Sequence, residues 1–215
     1  VEFQRARRPE QVAQRRRAIL DTARRLLRER PVAEISLREL SDCVGLAKSN
    51  VLRYFDSREA VFLEVLDGEW GAWLDELEGR LDGVGDPVAV ASVVAASLVA
   101  RPLLCELVSG MAGVLERNVS VESARGFKAR AGVHSGRLAG LVRERVPGVG
   151  EAGARHFAHA VLVITAGLWP HANPTEAVAR VMRELGSPGA AEVFATGLRE
   201  FLVNQLAGLV ARSTG

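Results

Sequence analysis

Between Pro31 and Ser57 the chain carries two short apolar stripes separated by a glycine, and this pattern constrains the fold more than any other feature. Leu37, Leu40 and Val44 recur at helical spacing and predict a helix of about two turns. Ser36 stands where a helix cap belongs, with Glu39 as its capping-box partner. Gly45 supplies the left-handed residue that ends the helix. A third short helix is expected from about Ala47 to Tyr54, with Val51 and Phe55 facing inward. Asp56 or Ser57 caps a fourth helix that runs to about Leu81.

Upstream, Ile19, Leu20, Ala23, Leu26 and Leu27 give one apolar helical face, and Pro31 stops that helix. Residues 1–10 read as an arm carrying Arg5, Arg7 and Arg8. Downstream, helices are expected at roughly 87–99, 102–117, 120–146, 151–171, 174–185 and 189–212, separated by Pro, Gly and Asn. No strand and no internal repeat is evident. The expected fold is all-α, with about nine or ten helices.

The charge is uneven. Residues 1–58 hold 14 Lys/Arg against 8 Asp/Glu, a balance of +6, and the remaining 14 and 18 give −4. A basic end on an acidic remainder suggests that the first quarter meets a polyanion. Cys43 and Cys105 are the two cysteines of the 215-residue chain, too few for a disulfide framework or a zinc cluster. Residues 1–17 are Arg-rich and lack the apolar core of a secretory signal. The uncharged stretch Phe157 to Thr175 contains two histidines, Asn173 and two prolines, a poor membrane span. These features read as a cytoplasmic protein without a membrane segment.

A helix, a glycine turn and a second helix make a helix-turn-helix: the first helix braces the DNA backbone and the second offers its N-terminal side chains to base edges. The run Gly45-Leu46-Ala47-Lys48-Ser49-Asn50-Val51-Leu52-Arg53-Tyr54-Phe55, followed by Arg58-Glu59, closely resembles the TetR-family signature Gly-Val-Ser-Lys-x-Thr-Leu-Tyr-x-Tyr-Phe. The resemblance covers about residues 12–66. It implies a three-helix DNA-binding domain (1–58) and a larger helical ligand-binding and dimerisation domain (59–215).

The resemblance further implies that Arg38, on the brace helix, contacts a base. Lys48, Ser49 and Asn50 sit at the base-reading start of the recognition helix, and Tyr54 and Arg58 at phosphate positions. Arg53 lies beside them, and Ser36 is counted with the DNA-facing residues. The chemistry agrees. Lys donates to guanine O6 or N7, and Asn pairs bidentately with adenine. Three departures stand out. Ala47 replaces a capping Ser, a loss of about 1 kcal/mol in ordinary helices. Leu52 replaces a Tyr, and Asn50 replaces a Thr.

In the larger domain, helices at about 151–171 and 189–212 are expected to build a two-fold four-helix bundle. Trp70, Trp73, Leu104, Met111, Phe127, His134 and Trp169 are the candidate pocket residues, suited to a hydrophobic or amphipathic effector. The expected function is a ligand-responsive repressor that binds a palindromic operator as a homodimer, with no cofactor and no resident metal. No phosphate-cradling loop, nucleophile elbow or dinucleotide fingerprint points to an enzyme. Other readings stay open at this level: an activator, a thiol sensor using Cys43 or Cys105, a metal sensor using His156 and His159, or an adaptor that does not bind DNA. Cys43 is expected to be buried.

Overall fold

The computed structural model describes residues 9–213, and the arm arginines Arg5, Arg7 and Arg8 lie outside them. Among the described residues there are ten α-helices and no strand. The chain divides into two compact units. One comprises Val1–Asp67 with Gly110–Phe127, the other Gly68–Ser109 with Lys128–Gly215.

In the first unit, α1 (Pro9–Glu29) begins three residues before Val12. Ile19, Ala23, Leu26 and Leu27 form its buried stripe. A 3₁₀ turn (Val32–Glu34) leads to α2 (Leu37–Val44), then α3 (Lys48–Val51), then α4 (Arg58–Arg80). The apolar stripes converge: Ile19, Ile35, Leu40, Val51 and Val61 are all fully buried. Each such side chain stabilises the unit by about 1.5–3 kcal/mol relative to exposure. Ser57, not Asp56, caps α4, its Oγ accepting from the Ala60 N–H at 3.1 Å. α4 passes unbroken from the first unit into the second.

The second unit is built around α10 (Ala190–Ser213), which packs against α8 (Gly150–Ala172) and α5 (Pro87–Val99). Val90, Ala91, Val94, Ala95 and Leu98 of α5 are buried. So are Phe194, Leu198, Leu202, Leu206 and Leu209 of α10. Gly153 permits a close approach. A Cβ there would stand 3.0 Å from Val149 Cγ2 and 3.8 Å from Leu209 Cβ. The apolar residues of α10 divide. Its leucines and Phe194 enter the subunit's own core, whereas Phe201 is 56% exposed. Val163 of α8 is also exposed, at 55%.

The remaining helices are α6 (Pro102–Gly110), α7 (Val121–Arg145) and α9 (Glu176–Glu184). α6 runs into a π-helical turn (Met111–Leu115), where Glu116 N–H bonds the Met111 carbonyl at 3.0 Å. The sequence pattern predicts one helix over 102–117, and the structure keeps the chain helical there, α-wound to Gly110 and π-wound to Leu115. Among the described residues no single helix is long and apolar enough to cross a membrane.

Candidate nucleic-acid interface

The turn between α2 and α3 is set by backbone chemistry. Gly45 lies at φ 73°, ψ 33°. Its N–H bonds the Asp42 carbonyl at 3.1 Å, and the Leu46 N–H bonds the Ser41 carbonyl at 3.0 Å. This pair of bonds is a Schellman closure, which needs a left-handed residue and therefore favours glycine. At the other end of α2, Ser36 Oγ accepts from the Glu39 N–H at 3.2 Å. The Glu39 carboxylate is held by Arg30.

α3 is a single turn, extended by tightened bonds from Arg53 N–H to Asn50 (3.3 Å) and from Tyr54 N–H to Val51 (2.9 Å). Ala47 begins it without a side-chain cap. Val51 and Phe55 are buried and anchor the turn from beneath. Lys48, Ser49, Leu52 and Arg53 are exposed, and Asn50 and Tyr54 are half-buried. Lys48 and Leu52 share one helix face, since the Leu52 N–H bonds the Lys48 carbonyl at 2.9 Å. On α2, Ser36 and Arg38 are exposed, and Arg38 Nε lies 3.8 Å from Asp42. That pair is open to solvent and weak, so the guanidinium is readily given up to another acceptor.

Arg58 is placed differently from the others. Its guanidinium donates to the Ile35 carbonyl at 2.6 Å and to Glu59 Oε1 at 3.1 and 2.9 Å, and sits 5.8 Å from the Phe62 ring centroid. It pins the start of α4 to the start of α2. Arg16 plays a matching part that the sequence reading missed. It donates to the Tyr54 carbonyl and to Glu64, with its guanidinium 4.3 Å from the Phe55 ring centroid. One signal was available: Arg16 precedes Ile19 and Ala23 at helical spacing, so it lies at the edge of the buried stripe.

The seven candidate pocket residues fall in both units, Met111 and Phe127 in the first and the others in the second. Trp70, Trp73, Leu104 and Phe127 are buried, and Met111, His134 and Trp169 are half-buried. Trp73 Nε1 donates to Ser97 Oγ at 2.8 Å, and Trp169 Nε1 to Glu106 at 2.9 Å. Trp70 stacks on His134 with ring centroids 5.4 Å apart. Its own Nε1 is buried without a hydrogen-bond partner, as is Thr165 Oγ1.

Cys43 is exposed, correcting the expectation of burial. The inward face of α2 is taken by Leu40 and Ser41, and Cys43 lies on the other side. Cys105 is buried, its thiol donating to the Leu98 carbonyl at 3.3 Å. Burial pushes its pKa up to about 12, so it stays a thiol at neutral pH. Titrating the native protein with a thiol reagent and mapping the product by mass spectrometry should modify Cys43 and spare Cys105 until denaturant is added. Early labelling of Cys105 would contradict this packing. His156 and His159 are exposed on α8. No group of three or more His, Cys, Asp or Glu side chains among the described residues is placed to hold a metal ion.

Among the described residues the structure is all-helical, and the exposed turn over a buried anchor between α2 and α3 gives it helix-turn-helix geometry. Residues 19–65 match the family described as bacterial regulatory proteins, tetR family, and residues 67–213 match the tetracyclin repressor-like C-terminal domain. The chain belongs to the TetR family. Over 50 residues it is 46% identical to the HTH-type transcriptional regulator EthR of Mycobacterium tuberculosis, a stretch covering 23% of each chain. EthR of Mycolicibacterium smegmatis is 43% identical over 53 residues, 25% of this chain and 24% of that one. The chain thus aligns with only about a quarter of the length of these curated relatives. Among solved structures it resembles the transcriptional regulator FadR from Bacillus subtilis in complex with stearoyl-CoA (TM-score 0.54, 13% identity, covering 87% of this chain and 97% of that one). It also resembles the TetR family repressor AlkX from Dietzia sp. strain DQ12-45-1b (TM-score 0.53, 16% identity, 91% and 96%). At these identities the likeness is one of fold.

Proposed function

We propose that this protein is a cytoplasmic, sequence-specific DNA-binding transcriptional regulator that acts as a homodimeric repressor on a palindromic operator. The exposed row Lys48, Ser49, Leu52 and Arg53 on a turn anchored by buried Val51 and Phe55 carries this reading. Lys48 suits guanine O6 or N7, and Asn50 suits adenine. Leu52, 43% exposed on the Lys48 face, replaces a tyrosine contact with an apolar surface matched to a thymine methyl. Arg38, Arg53, Tyr54 and the Ser36 hydroxyl flank this row with donors for bases or phosphates. Arg58 serves by holding α2 and α4 together, and reaches phosphate only by giving up Ile35 and Glu59.

Val163 and Phe201, exposed on α8 and α10, are the apolar positions through which a second copy would dock. Two recognition helices then read two half-sites about one helical turn of DNA apart. The effector is a hydrophobic or amphipathic small molecule held in the larger domain around Trp70 and His134. It lowers operator affinity by favouring the dimer geometry that does not fit DNA. The unpartnered Trp70 indole N–H favours an effector carrying a hydrogen-bond acceptor.

Selection from a pool of randomised duplexes tests this. The wild-type protein should enrich a palindrome, and Lys48→Ala/Asn50→Ala should lose it, each bidentate base contact accounting for about 1–3 kcal/mol of discrimination. Weak, salt-sensitive retention with no motif, the same in both proteins, would leave only non-specific binding by the basic end. An adaptor role would then be the better reading.

A further inference from the structure

α7 begins with half a capping box. Ser120 Oγ accepts from the Ser123 N–H at 3.1 Å. The reciprocal half needs a long acceptor at the third helical position, usually Glu or Gln, to reach back to the cap residue's own N–H. That position is Ser123, whose side chain is too short. The acceptor comes instead from the helix-turn-helix: Asp56 Oδ2 takes the Ser120 N–H at 3.2 Å. The Ser120 and Ser123 side chains hydrogen-bond the same carboxylate. Burial raises the Asp56 pKa, but these bonds outweigh it and hold the group below the ordinary carboxylate value, so it is charged at neutral pH. A negative charge suits a helix N-terminus. Ser57 caps α4 and its hydroxyl also donates to Asp56 Oδ1 at 3.5 Å, which leaves Oδ2 for the Ser120 N–H.

The same segment meets the helix-turn-helix at a second point. A Cβ on Gly110 would lie 2.9 Å from Val32 Cγ1, in the turn between α1 and α2. Gly110–Phe127 therefore belongs to the first unit although both ends continue into the second. α7 runs unbroken from Val121 to Arg145.

We propose that Asp56 is a positioning residue for the recognition helix, supplying in trans the missing half of the α7 capping box so that α3 and the start of α7 move together. The role in DNA recognition rests on the function proposed above; the latch itself does not. Asp56 touches no base or phosphate in this scheme. It fixes the exit of the recognition turn, just beyond buried Phe55, against a helix whose far end belongs to the effector-binding unit.

Two variants of the full chain separate this role from simple loss of structure. Asp56→Ala removes the acceptor. Ser123→Glu completes the box in cis and repels Asp56, so α7 keeps its cap while the latch opens. Hydrogen exchange in the free protein should show residues 48–55 exchanging about tenfold faster in both variants, the scale of one lost charge-assisted hydrogen bond. Protection at residues 121–125 should fall only in Asp56→Ala. Affinity for the duplex selected above should drop about tenfold in each variant, with the slope against salt unchanged, because no phosphate contact is removed. The double variant should be no worse than the weaker single one, as expected of partners in one interaction. Unchanged exchange at 48–55 in Ser123→Glu, or losses that multiply in the double variant, would overturn the proposal. If the wild-type protein selects no duplex, the DNA-binding reading fails and the exchange measurement alone decides the latch.

Discussion

Phe201→Asp should yield a folded monomer that no longer retains the operator. Phe201 is 56% exposed on α10, so the substitution disturbs little inside the subunit. In the proposed two-fold dimer the residue is buried twice, and since it is already partly covered each burial contributes about 1–1.5 kcal/mol. Aspartate loses that contribution and sets two like charges near the axis. A monomer reads one half-site and loses the effective concentration that joins two, a penalty on the order of 10²–10⁴ in operator affinity. Sedimentation would report the monomer, circular dichroism the intact helices, and duplex retention the lost affinity. A variant that stays dimeric and binds normally would place the interface elsewhere.

Phe157→Ala should have the largest effect on stability. Phe157 is fully buried on α8, which packs against α10. Phenylalanine to alanine in such a site costs about 3–5 kcal/mol through lost transfer energy and the cavity left behind. Whole domains are stable by only about 5–15 kcal/mol. The thermal midpoint should fall by on the order of 10 °C for a chain of this size. A calorimetric shift of under about 2 °C would mean that the site collapses freely or that Phe157 is not packed as described.

Different physical terms govern these two residues, and they differ in how far they can be read from sequence. Phe157 lies within an uncharged run of α8, where an apolar side chain is a fair candidate for burial, although Val163 of the same run is exposed. Phe201 stands next to Leu202 in the same apolar stripe, and neighbouring helical residues point about 100° apart. The periodicity admits both to a buried face. Only the packing of α10 on α8 and α5 turns Leu202 inward and leaves Phe201 outside. Cys43 follows the same logic. Its place near the end of α2 is plain, but the inward face was already filled by Leu40 and Ser41.

The sequence by itself determined the local architecture. Pro31, Ser36, Gly45 and the spacing of Leu37, Leu40, Val51 and Phe55 act over one or two helical turns, through caps, a left-handed residue and amphipathic periodicity. Signals of that range survive in a linear string, so the helix-turn-helix, its exposed row and most helix boundaries are legible. The tertiary structure decided the partners of the charged side chains. Arg58 bonds the Ile35 carbonyl, Arg16 reaches Tyr54 and Glu64, and Asp56 accepts from the N–H of Ser120, 64 residues later, just before α7. A guanidinium or carboxylate has many possible acceptors and donors of similar strength, and none is marked by spacing. Which one it meets depends on how the apolar stripes bring distant helices together, and that is settled only when the chain has folded.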